Sequence, residues 1–215
     1  MLRAVSDTIA GIASPHARGG QPLLRLVLLA AGCMALYGAA MGTYEVWQAD
    51  RWKLAIFGAV KSPLLLLATS ALVMPGFLVL NSALGLRDDL GAALRAVLAS
   101  QAGLALALLS LAPVTLLAYF SRIEHNEAIL FNACMFTLAT IVGQVVMLRW
   151  YRPLIARNPR HRLALLAWLV LYAFVGMQTG WMLRPFIGGL DKPPSFLRDE
   201  PFSNAYIAIW GLLSG

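Results

Sequence analysis

Charge is scarce in this sequence. Of its 215 residues only 13% are charged, and ten are acidic. A soluble domain carries about 25% charged residues. That deficit speaks against a soluble enzyme, a nucleic-acid binder and a disordered chain. Histidine is rarer still, at three residues: His16, His125 and His161. No Asp or Glu lies within the long apolar runs. Proton- and ion-coupled transporters need ionisable groups inside the bilayer. The shortage argues against a proton pump, a cation antiporter, a zinc-dependent intramembrane enzyme and a mid-membrane haem or chlorophyll ligand. Cysteine is limited to Cys33 and Cys134, both in apolar runs and without a CxxC pattern. They read as small hydrophobes rather than a metal or redox pair.

What is abundant is apolar surface. Hydrophobic residues make up 60% of the chain, and the mean hydropathy is +0.72. Crossing a hydrocarbon core of about 30 Å takes about 20 apolar residues as a helix. On that count the sequence predicts an all-α, polytopic transmembrane helical bundle of five spans, near 26–44, 63–84, 97–120, 128–148 and 163–183. A β-barrel would alternate polar and apolar residues, and these runs are continuously apolar. Ser62-Pro63 reads as the start of the second span, an N-cap followed by proline at the first helical position. Pro75-Gly76 and Pro113 predict kinks. Three mixed segments, 47–60, 88–99 and 202–213, read as short interfacial amphipathic helices. The expected organisation is an N-terminal cytoplasmic segment 1–22, a five-span domain 23–186 and an extracytoplasmic tail 187–215 carrying an interfacial helix.

Net charge is +7. Its densest block reads as a loop between spans four and five, 149–162, which holds Arg149, Arg152, Arg157, Arg160 and Arg162 without an acid. Basic residues favour the cytoplasmic side. This places the N-terminus inside and the C-terminus outside. The same five arginines are candidates for contact with anionic lipid.

Small residues four apart recur on three spans: Gly38 and Gly42, Ala139 and Gly143, Gly176 and Gly180. Such faces let helices approach closely. The uncharged polar residues inside the spans are Asn81, Gln101, Ser110, Thr115, Asn132, Gln144 and Gln178; they could line a cavity, with Asn81, Gln101, Gln144 and Gln178 the leading candidates, and helix–helix hydrogen bonding is the plainer reading. Glu124-His125-Asn126-Glu127 can be drawn as an acid–base or metal site, but a solvated turn between two spans accounts for it as well. Arg184-Pro185-Phe186 closes the fifth span.

The stretch from Lys61-Ser62-Pro63 to Leu111-Ala112-Pro113-Val114 carries a resemblance. So do Phe174-Val175-Gly176-Met177-Gln178, Trp181 and Arg184-Pro185-Phe186, and the pattern from Asn81 to Leu98. Over about residues 50–190 the chain resembles small five-span bacterial membrane proteins of uncharacterised function, distantly similar to the Yip1 family. The resemblance implies a five-helix fold with membrane-organising or partner-binding roles. It carries over no site.

The expected function is a non-catalytic membrane subunit or scaffold. It would pack against lipid and against other membrane proteins or further copies of itself, with no nucleic acid. No catalytic residue, metal or cofactor is expected beyond structural lipids. The alternative is a small permease, channel or lipid-handling protein with its path between spans two and three. A membrane enzyme using His125, Glu124 or Glu127 is the third reading.

Overall fold

A computed structural model of the chain describes residues 11–12, 22–47, 50–184, 186–188 and 194–197. The expected helix over 202–213 lies outside the described residues, as does most of the segment 1–22. Among the described residues the chain is all-helical. Five helices are long and apolar enough to cross a membrane, and the chain is an integral membrane protein. We number them α1 (Leu23–Met41), α2 (Trp52–Ala83), α3 (Leu90–Phe120), α4 (His125–Arg157) and α5 (His161–Met182).

Local chemistry sets the helix ends. Pro22 precedes α1 in an extended conformation, where its missing N–H costs nothing. At the end of α2, Gly85 adopts φ +72°. Gly85 N–H donates to Ser82 O and Leu86 N–H to Asn81 O. This pair of bonds is a Schellman motif, which needs a left-handed residue and hence glycine. A short 3-10 turn, Arg87–Asp89, leads into α3. Glu124 and Glu127 close a reciprocal capping box at the start of α4, satisfying backbone donors that helix geometry leaves over.

The structure departs from the sequence expectation at three places. Ser62-Pro63 does not begin a helix: α2 starts ten residues earlier, at Trp52, and runs through both Pro63 and Pro75. Membrane helices accept internal proline because neighbouring groups re-satisfy the freed backbone. The segments 47–60 and 88–99 are not separate interfacial helices. From Trp52 the first forms the opening turns of α2, and from Leu90 the second forms those of α3. Ala93, Ala96, Val97 and Ala99 are fully buried there, so tertiary packing has claimed a face that charge pattern assigned to the surface. Finally, the arginine-rich block 149–162 is not a loop. Only residues 158–160 of it lie outside helices.

The helices pack in the order α5, α2, α1, α3, α4, with α2 and α3 touching little although adjacent in sequence. One core gathers Met34 and Tyr37 of α1, Ala105 and Leu108 of α3, and Met135 and Ala139 of α4. A second core lies toward the basic end. It joins Val73 and Phe77 of α2, Val97 of α3, Met147 and Tyr151 of α4, and Trp168 of α5. The Phe77 and Trp168 rings meet edge-on at 5.0 Å.

The small-residue faces are used within the chain. A Cβ on Gly38 would overlap the Gly58 backbone, and one on Gly42 would overlap that of Leu54. Gly143 lies against Ser100 and Leu104 of α3, Gly176 against Thr69 and Gly180 against Leu65 of α2. Ala139 is fully buried. Close approach of this kind replaces the hydrophobic drive that lipid cannot supply.

Candidate functional site

Polar side chains collect at three levels of the bundle. At the basic end, the α2–α3 turn is tied to α5. His161 is fully buried as the first residue of α5. Its Nε2 lies 3.0 Å from Asp89 Oδ2. An ionised carboxylate can only accept, so Nε2 carries the proton. Arg157 approaches the other Asp89 oxygen at 3.7 Å, and Arg160 donates to Leu84 O at 3.2 Å. The Tyr151 ring stands edge-on to His161 at 6.2 Å. Tyr151 OH and His161 Nδ1 are buried without a hydrogen-bond partner among the described residues. Arg149, Arg152, Arg157, Arg160 and Arg162 are all exposed, as contact with lipid headgroups requires.

Cross-helix hydrogen bonds run from the middle of the bundle toward the opposite end. Tyr172 OH of α5 donates to Gln101 Oε1 of α3 at 3.1 Å. Tyr37 OH of α1 and Thr115 Oγ1 of α3 are 3.5 Å apart. Asn132 Nδ2 of α4 donates to Tyr119 OH of α3 at 2.6 Å. The four polar residues singled out from sequence occupy separate places. Asn81 is buried near the end of α2 and donates to Phe77 O of its own helix. Gln101 belongs to the α3–α5 bridge. Gln144 and Gln178 are half-buried on α4 and α5.

At the opposite end, three groups fasten the connections. Tyr44 OH donates to Ile123 O at 3.0 Å. Burial pushes its phenol above the ordinary range, and the Glu45 carboxylate adds to the shift. Arg51 is buried and its Nη2 donates to Ile187 O at 2.7 Å. Burial lowers the guanidinium pKa, with Glu45 and Tyr44 pulling the other way. Lys61 is fully buried. Its Nζ lies 5.8, 5.9 and 5.0 Å from the rings of Phe57, Phe186 and Phe196. The Arg184 guanidinium stacks on Trp181 at 3.4 Å. Glu124 and Glu127 are committed to the capping box, beside a half-buried His125.

Sequence reasoning missed the burial of Arg51, Lys61 and His161. It placed all three in surface segments. Phe57, four residues before Lys61, was the local signal available for it, since an ammonium over a ring face tolerates desolvation. Among the described residues no group of His, Cys, Asp or Glu is arranged to hold a metal ion. No protein family, curated protein or solved structure matches this chain.

Proposed function

We propose that this protein is a non-catalytic integral membrane subunit or scaffold that packs against lipid and partner membrane proteins. One observation carries the reading: polar side chains able to do chemistry serve as fasteners between helices. Tyr172 binds Gln101, Asn132 binds Tyr119, and His161 binds Asp89. The outer half of α5 supports it further. Its buried residues all fall within 161–168, while Val170, Phe174 and Met177 beyond them are exposed. That flank offers lipid or a neighbouring helix a continuous apolar surface. The arginine-rich end suits the cytoplasmic leaflet of a bacterial inner membrane, with the N-terminus inside.

Native mass spectrometry after gentle extraction from the source membrane tests the proposal. The expected result is a stable heteromeric complex. A chain that is always recovered alone, across mild detergents, overturns it.

A further inference from the structure

We propose that the end of α2 and the turn after it form a binding site for one anionic phospholipid. A surface groove of about 460 Å³ is lined by Leu78, Val79, Ser82, Ala83 and Arg87. Its two ends differ in chemistry. Leu78 and Val79 are 40% and 70% exposed and lie one turn before Ser82 and Ala83 on the same helix face. They form an apolar rail directed into the span. Ser82 and the exposed Arg87 stand where α2 ends. A lipid matches this order: its phosphate at the guanidinium and hydroxyl, its acyl chain along the rail.

The surrounding charges favour an anion here. Three guanidiniums, Arg87, Arg157 and Arg160, surround the turn against two carboxylates, Asp88 and Asp89. Asp89 is already occupied by His161 and Arg157. Arg160 is engaged with Leu84 O. Arg87 has no hydrogen-bond or ion-pair partner among the described residues, so its fork is open to a phosphate. Asp88 is exposed beside it and sets the net excess at one positive charge around the turn. A soluble anion would have no use for the apolar rail. The site rests on the proposed orientation, in which this end faces the anionic cytoplasmic leaflet.

The test is native mass spectrometry of the full chain, delipidated and reconstituted with phosphatidylcholine containing phosphatidylglycerol. The expected result is one retained phosphatidylglycerol per chain. R87Q should reduce its occupancy about fivefold. R122Q, which alters an exposed arginine at the opposite end of the bundle, should match the unaltered chain, and R87K should retain more lipid than R87Q. Equal retention of phosphatidylcholine, unchanged retention in R87Q, or displacement by millimolar inorganic phosphate would overturn the site. Failure here with an intact heteromeric complex leaves the scaffold reading standing, so the two proposals fail separately.

Discussion

Gly38 of α1 and Gly58 of α2 meet backbone against backbone: a methyl group on either would overlap the carbonyl oxygen of the other. Neither overlap can be relieved by turning a side chain. Gly38→Ala should therefore cost about 3 kcal/mol, at the upper end for overpacking. Gly32 is the control, exposed on the same helix with open space around its Cβ position. Gly32→Ala should be neutral or stabilise by about 0.5–1 kcal/mol, because alanine restricts the unfolded chain. Thermal unfolding of both variants in one detergent checks the contrast. Equal melting temperatures would remove the tight α1–α2 contact.

The five spans were legible because continuous apolar runs leave few alternatives in lipid. Their ends were less so. Ser62-Pro63 has the chemistry of a helix start, yet Ser62 is buried near Gly38 and Pro63 lies eleven residues into α2. Local propensity gave way to packing between α1 and α2. The buried cations were hidden for a related reason. Charge pattern assigns Arg51 and Lys61 to water, whereas the carbonyl of Ile187 and the rings of Phe186 and Phe196 reach them from more than 120 residues away. No local pattern reports partners that distant.

His161 is expected to matter more to stability than Asp89 does. His161→Ala would empty a fully buried site and strip Asp89 of its donor, costing about 2–4 kcal/mol. Asp89→Asn keeps an oxygen able to accept from Nε2 and should cost less than about 1 kcal/mol. A coupling cycle needs changes that each remove the shared bond, so it pairs His161→Ala with Asp89→Ala, and the double variant should be less destabilised than the sum of these two singles. Chemical denaturation of these variants measures the coupling. Strict additivity would mean that the contact contributes nothing.

Tyr44 should give the fold an alkaline limit. Its phenol pKa is raised in the folded chain, first by burial and then by Glu45. The unfolded phenol titrates near 10. Below about pH 10 both states are neutral at this residue and stability is unaffected by it. Above that, the unfolded state ionises first and stability falls. Tyr44→Phe should lose about 0.5–1.5 kcal/mol at neutral pH with the bond to Ile123 O, and should show a shallower alkaline fall. Parallel slopes for the two chains above about pH 10 would contradict this assignment.

Lys61 joins α2 to the segment that follows α5. Its ammonium faces Phe186 and Phe196 from that segment and Phe57 from its own helix, while Phe57 and Phe196 meet edge-on at 5.5 Å. Cation–π contacts reach about 2 kcal/mol when desolvated. Burying the charge opposes that gain, so replacing it with an apolar residue can leave global stability unchanged. The decisive measurement is therefore local. In Lys61→Leu, amide hydrogen exchange at residues 195–197 should accelerate about tenfold or more, whereas α3 and α4 keep their protection. Uniform exchange across the chain, matching the unaltered protein, would show that the aromatic contacts alone hold the segment in place.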